Sequence, residues 1–209
     1  MKILIFGKGG ISGGIREALT EHEVNEFDRW QADVRDYFQV SGVIAYIKPD
    51  WVINCAGVSR PSATGYYSEI QTNLIGAITV ASAAEDIPQI HIASVAGLYG
   101  KPGHLGYSAS KAGVISMVQS LAMEGKKAWA ISPGRVDTPM RERDYPQDTP
   151  GSRLEPIRVG YVVRGIMTGG VPSGTNVVIR KVGLLETISE HHTGDGWKEK
   201  LRVGEPVTI

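Results

Sequence analysis

The chain has 209 residues, a length that suits one domain with its own core, and its 22 basic side chains balance 22 acidic ones, leaving no electrostatic footprint for nucleic acid or an anionic membrane. No apolar run reaches the ~20 residues needed to span a bilayer, and the opening MKILIFGKGG turns glycine-rich too soon for a secretory signal. Cys55 is the single cysteine, which excludes an internal disulfide and a thiolate-clustered zinc site and makes a cytoplasmic protein the expectation.

Short apolar runs alternate with longer helix-like stretches. Lys2–Phe6 (KILIF) reads as a buried strand, followed by a glycine-rich turn and a helix to about Leu19. Glu23–Phe27 is a half-buried strand, and Asp36–Ile47 has helical spacing with Tyr37, Val40, Ile44 and Ile47 on one side, stopped by Pro49. Trp51–Cys55 is a strand, Glu69–Ala84 a long helix and Gln89–Ala93 a strand ending at Ser94. Tyr107–Met123 is helical, Lys127–Ile131 a strand, Val159–Met167 the last helix and Thr175–Arg180 the last strand. Residues Thr138–Glu155, rich in Pro, Arg and Asp, read as one long irregular segment of the kind that forms lids or binding loops. Alternating strands and helices predict an α/β fold, a doubly wound Rossmann sheet, parallel and about seven-stranded, covered on both faces. Residues 1–209 form one dinucleotide-binding and catalytic domain in this reading, with 184–209 as a C-terminal extension.

The 26 glycines stand far above the ~7% of average usage and gather at element ends. Gly7, Gly10 and Gly13 make a G-x-x-G-x-x-G turn between the first strand and first helix. Such a turn brings backbone N–H groups and a helix N-terminus against a pyrophosphate, and packs the helix tightly on the sheet. Lys8 and Ile11 lie within it. Asp28, ~20 residues on at the end of the second strand, is placed to bond the adenosine ribose hydroxyls, with Arg29 beside it as a competing phosphate ligand. Asp33, next to Val34, either touches the adenine or caps the following helix. Tyr107 and Lys111, four apart, share a helix face. Ser94 ends a buried strand, on the side where ligands of open α/β sheets bind.

Taken together these residues make the chain resemble a short-chain dehydrogenase/reductase. The marks are Gly7–Gly13, Asn54-Cys55-Ala56-Gly57, Ser94 thirteen residues before Tyr107-Ser108-Ala109-Ser110-Lys111, and Pro133-Gly134-Arg135-Val136-Asp137-Thr138. They cover Met1–Thr138 well, the segment to about Val182 loosely and the remainder hardly at all. The resemblance implies that Tyr107 is the general acid/base. Lys111 holds the nicotinamide ribose and lowers the tyrosine pKa, and Ser94 bonds the substrate oxygen. It also implies that Asn73 sits in a distorted helix serving the proton relay. Asn54, Ala56 and Gly57 shape the adenosine side, and Pro133, Val136 and Thr138 meet the carboxamide. The glycine spacing and the short Asn73–Ser94 interval are those of the larger, nucleotide-sugar-modifying branch, and Cys55 replaces that motif's second asparagine.

The histidines carry no metal site in this reading. His91 belongs to a buried strand, His191-His192 lack carboxylates or thiols at ligand spacing, and His104 is a candidate for the pocket wall. Arg141-Glu142-Arg143-Asp144 reads as a solvated charged loop. The expectation is an NAD(P)-dependent oxidoreductase transferring hydride to or from a small carbonyl or alcohol, with NAD(H) favoured over NADP(H). The alternatives are a nucleotide-sugar reductase or epimerase, and a non-catalytic dinucleotide-binding regulator. The helices from Glu69 and Tyr107 are apolar over most of their circumference, which predicts a homodimer or homotetramer through them.

Overall fold

The computed structural model describes residues 1–59, 65–149, 151–182, 185–191 and 197–200. Strand β1 (Lys2–Phe6) is buried from Ile3 onward. Ile3 and Ile5 enter a core with Ile15, Leu19, Val159, Val163 and Ile166, while Leu4 and Phe6 enter another with Val34, Val40, Ile44 and Val80. A strand covered on both faces has no polar side to show, so KILIF carries no alternation.

The parallel strands are β1, β2 (Glu23–Phe27), β3 (Trp51–Asn54), β4 (Gln89–Ile92), β5 (Ala128–Pro133) and β6 (Asn176–Val182). Two antiparallel strands, β7 (Leu185–His191) and β8 (Trp197–Lys200), extend the sheet beyond β6. The order is β2-β1-β3-β4-β5-β6-β7-β8. The doubly wound, parallel sheet of about seven strands is borne out in its main part, and beyond Arg180, expected as the end of the last strand, it runs on to eight strands, the last two antiparallel. Leu185–His191 mixes Glu, Thr, Ser and His with its apolar residues, and such an edge strand lacks the continuous apolar run of a buried one. His191 pairs with Trp197 across β7 and β8, so neither residue belongs to an unpaired tail, while His192 lies outside the described residues.

Helices α1 (Gly10–Ala18) and α7 (Pro156–Met167) cover one face. The other face carries α2 (Tyr37–Ile47), α4 (Gly76–Ala83) and α5 (Leu105–Met123). α2 begins where Asp36 accepts hydrogen bonds from the Phe38 and Gln39 amides. Tyr37, expected on its inner side, is half exposed, because Val40 and Ile44 already face the sheet. Before α4 come α3 (Tyr66–Glu69) and a π-helical segment, Ile70–Ile75. The expected irregular segment holds a short helix, α6 (Pro139–Asp144), which Thr138 caps by accepting from the Arg141 amide, with proline in its first turn. That N-terminal signature of Thr and Pro was present in the sequence.

Of the turn's glycines, Gly13 makes no close approach, since a Cβ there would meet nothing within 4 Å. The close approach is at Gly14, where a Cβ would overlap the Pro156 backbone, and at Gly160, where it would meet Ala18. These glycines let α1 lie directly on α7. Because β1 is flanked by β2 and β3, the chain direction reverses there, and the crevice at the carboxyl ends of β1 and β3 is the ligand-binding side of such a sheet. Among the described residues no helix is long and apolar enough to cross a membrane.

Candidate active site and family

Every parallel strand delivers a loop to one edge of the sheet. Gly7 leaves β1 with φ of +93°, a left-handed conformation that a side chain disfavours, and a Cβ there would strike the Ala56 backbone. Gly10 is equally required, since its Cβ would lie 2.6 Å from the Thr138 methyl. Asn54 is buried and its Oδ1 accepts from the Ala56 amide at 3.1 Å, which fixes the turn out of β3. Gly57 sits against the interior of the site: a Cβ would lie 3.3 Å from Asn73 Oδ1 and 3.5 Å from Lys111 Nζ.

Asn73 occupies the π-helical turn, the distortion that the resemblance implies. Its Oδ1 accepts from the Val58 amide at 2.7 Å, and its Nδ2 donates to Val58 O at 2.9 Å and to Ser110 Oγ at 3.2 Å. The amide thus ties the β3 loop to α5. Lys111 is buried, and its Nζ donates to Ile92 O at 2.7 Å and lies 5.8 Å from the Tyr107 ring centroid. Gly97 permits this arrangement, because any Cβ there would collide with the Lys111 backbone. Ser94 accepts from the Ala96 amide at 3.2 Å and starts the short 3-10 turn Val95–Gly97.

Burial pushes the Lys111 ammonium down to about 8, because the charged form loses its water. Burial also pushes the Tyr107 phenol up, and the Ser94 side chain opposes that rise. Desolvation is the largest cause of that rise, the charges of Glu69, Tyr145 and Asp144 add to it, and the Lys111 hydrogen bond goes to Ile92 O. Cys55, beside Lys111, is pushed up to about 12 by desolvation, so it is a thiol and no nucleophile at neutral pH.

A cavity of about 680 Å³ opens beside these groups. Ser94 and Tyr107 form one wall, and Ile11, Pro133, Val136 and Thr138 another. His104 also lines it. Its ring stands edge-on to Tyr107 at 6.2 Å and stacks on Tyr145 at 5.9 Å, and His104 Nε2 hydrogen-bonds the Tyr145 hydroxyl. Desolvation holds His104 below its ordinary pKa. Arg141 lies 3.7 Å over the Tyr145 ring and pairs with Asp148, while Asp144 pairs with Arg143 at 2.7 Å. The charged run of α6 is therefore not a solvated loop, since Arg141 and Asp144 line the cavity. The distance from Tyr107 to Tyr145 along the chain gave the sequence no means of pairing α6 with the site.

The adenosine-side candidates lie apart. Asp28 folds back on its own turn, Oδ1 accepting from the Trp30 amide at 2.8 Å and the Gln31 amide at 3.2 Å. Arg29 packs over Trp30 at 4.8 Å, and Lys8 is exposed. Asp33 is held by Arg35, through its amide at 3.0 Å and its guanidinium at 2.5 Å, and the helix cap assigned to it as one alternative is made by Asp36 instead. Val34 is buried against Gly76. His91 is buried with Nε2 2.8 Å from Gln89 Oε1, but its Nδ1 has no hydrogen-bond partner among the described residues. No metal-binding cluster occurs among the described residues.

The sequence pattern of the short chain dehydrogenase family matches residues 12–149. A 3-oxoacyl-acyl-carrier-protein reductase of Thermotoga maritima is 32% identical over 189 residues, covering 75% of this chain and 76% of that protein. Human (3R)-3-hydroxyacyl-CoA dehydrogenase is 32% identical over 132 residues, 54% of this chain and 50% of that protein. An oxidoreductase of the short-chain dehydrogenase/reductase family from Burkholderia thailandensis shares the fold with a TM-score of 0.75 at 20% identity, covering 86% of this chain and 91% of its own. The chain belongs to the short-chain dehydrogenases/reductases, a family of NAD(P)-dependent oxidoreductases.

Proposed function

We propose that the chain carries out reversible NAD(P)-dependent reduction of a small carbonyl compound to its alcohol, with Tyr107 as general acid/base. The observation that carries this reading is the placement of Ser94 and Tyr107 on one wall of the cavity, with Lys111 and Asn73 buried behind them.

A dinucleotide fits the residues present. Gly9 and Gly13 border open space at the start of α1, whose first turn holds no acidic residue, so the free amides there favour an anion. Gly57 leaves the approach to Lys111 and Asn73 clear. Gly7, Lys8, Gly10, Ile11 and Gly13 would hold the pyrophosphate side. Asp28, Arg29, Asp33, Val34, Asn54, Ala56 and Gly57 would hold the adenosine side, and Pro133, Val136, Thr138, Tyr107 and Lys111 the nicotinamide side. The cofactor, when bound, supplies or accepts the hydride.

The chain's own residues handle the proton and the oxygen. Ser94 donates to the substrate oxygen and orients it toward Tyr107. Tyr107 donates its phenolic proton to that oxygen during reduction and recovers one during oxidation. With a pKa near 8, Lys111 is charged at neutral pH and offsets the phenolate that forms. Asn73 holds Val58 and Ser110 in place, keeping the floor of the site rigid. Asp28 supports a preference for NAD(H) over NADP(H), since its carboxylate repels a 2′-phosphate. Exposed Ile75, Ile78, Leu105 and Met123 support a homodimer or homotetramer through α4 and α5.

Following NADH and NADPH consumption with a panel of short ketones, 3-oxoacyl thioesters and nucleotide sugars tests this reading. Turnover of ketones or thioesters is expected. Turnover confined to nucleotide sugars, or none with any member, would overturn it.

A further inference from the structure

The geometry points to a substrate that carries a carboxylate or phosphate beside its carbonyl, bound by Arg180 with Arg135 and Lys181; this deepens the proposed carbonyl reduction and rests on it. The cavity next to Ser94 and Tyr107 is lined by Lys101, Arg135, Arg141, Arg180 and Lys181, with Asp144 the one acidic side chain in the lining among the described residues. In a chain whose charges cancel overall, this local excess needs a cause.

Internal partners account for part of it. Arg141 is bidentate to Asp148 at 2.6 and 2.9 Å, and Lys101 Nζ donates to the Tyr145 hydroxyl at 2.6 Å. Asp144 is neutralised by Arg143. Arg180 and Lys181 have no ion-pair partner among the described residues, and Arg135 shares Asp148 only at longer range, through its charge. Arg180 Nη2 donates to the Tyr99 hydroxyl at 3.0 Å, and Lys181 Nζ reaches Arg153 O only at 3.5 Å. The Arg180 guanidinium lies 5.1 Å over the Tyr99 ring, and its buried Nε has no hydrogen-bond partner among the described residues. A buried N–H left unpaired costs free energy, so the described part of the chain does not saturate this guanidinium.

The placement is built by the sheet. Gly134 N donates to Ile179 O at 2.8 Å, which sets Gly134-Arg135 beside Arg180-Lys181 at the carboxyl ends of β5 and β6. A guanidinium presents two parallel N–H groups to a planar carboxylate or to two phosphate oxygens. In the reaction the carbonyl carbon takes the hydride from reduced nicotinamide and its oxygen takes the Tyr107 proton. The anionic group is unchanged and serves as the handle.

The test compares a short oxo acid, its methyl ester and a phosphorylated ketone of similar length, by kcat/KM in wild type, Arg180→Gln and Arg135→Ala. At least one anionic compound is expected to exceed the ester by a hundredfold or more, and which one does so identifies the group bound. Arg180→Gln is expected to cut that ratio below tenfold, mainly through KM, and the exposed Arg135→Ala change, which removes no core contact, is expected to lower it several-fold. Titration calorimetry of malonate and inorganic phosphate into the chain gives a readout apart from turnover, with binding lost in Arg180→Gln. Ketone and ester turned over equally, or ratios unchanged in both variants, would overturn the anion site and leave the carbonyl reduction standing. Anion binding with no carbonyl turned over would do the reverse.

Discussion

Lys111 Nζ donates 2.7 Å to the carbonyl of Ile92 and lies only 5.8 Å from the centre of the Tyr107 ring, with no carboxylate paired to it among the described residues. Burial holds this lysine at about 8, against an ordinary 10.5. Since both values lie above 7, the side chain is charged in the folded and unfolded states at neutral pH, and the folded state bears the desolvation cost. That cost is present in full below about pH 8 and is relieved as pH rises from 8 to 10.5, where only the unfolded chain keeps the proton. Lys111→Met should therefore be more stable than wild type at pH 7 by about 1–2 kcal/mol, after allowing for the lost bond to Ile92. Urea unfolding at pH 7 and pH 10 checks this. The gap should narrow at the higher pH, and a variant weaker than wild type at pH 7 would contradict the burial argument.

His91 gives a second pH dependence of opposite position. Desolvation pushes it down to about 3, so the folded chain refuses a proton that the unfolded chain accepts below 6.5. Stability is lost as pH falls from 6.5, at up to about 1.4 kcal/mol per pH unit. Between pH 6.5 and 4.5, above the range of ordinary carboxylates, His91→Met should remove about 2 kcal/mol of that loss, even though losing Gln89 as a partner weakens it at pH 7. Parallel stability–pH curves for the two proteins would show that another group is responsible.

The two neighbouring glycines of α1 separate packing from binding. Gly14→Ala forces a methyl into the Pro156 backbone and should cost about 3 kcal/mol. Gly13→Ala meets nothing, should hold or slightly raise Tm through better helix propensity, and should weaken dinucleotide binding by crowding the open ground above α1. Thermal melts and cofactor titrations of both variants check the contrast. Equal destabilisation by the two changes would contradict it.

That pair also shows what was legible in the sequence. The strand–helix alternation, the glycine turn and the Ser94–Tyr107–Lys111 spacing are local patterns, whereas the Asn73 distortion was implied by the family resemblance alone. The local patterns are visible because buried strands and helix starts impose their composition directly. The choice between Gly13 and Gly14 was not visible, because it depends on α7, whose Pro156 is 142 positions further on. The same holds for the cavity wall made by Tyr145, Arg141 and Arg180, since a loop's composition does not say which strand end it crosses. The antiparallel edge was missed because β7, with only Leu185 and Ile188 apolar, has neither a continuous apolar run nor a clean alternation.

Asp28 accepts two backbone amides through Oδ1, which holds the carboxylate at the end of β2 without closing off its second oxygen. NADH should therefore be preferred over NADPH by tenfold or more in kcat/KM, about 1.4 kcal/mol of transition-state stabilisation. Asp28→Ser should erase most of that margin. A wild-type preference for NADPH of the same size would assign selection to Arg29 instead.

The central claim is that Tyr107 moves the proton while its neighbours hold the ligands, and Tyr107→Phe tests it most directly. The change keeps the ring beside His104 and Lys111 and removes only the hydroxyl. Turnover of whichever carbonyl substrate the wild type uses should fall by about 10³-fold, the scale of a lost general acid. The cofactor dissociation constant, read by fluorescence titration on the same preparation, should stay within about threefold of wild type, a change under about 0.7 kcal/mol. A Tyr107→Phe protein that keeps a tenth or more of wild-type kcat would contradict the account.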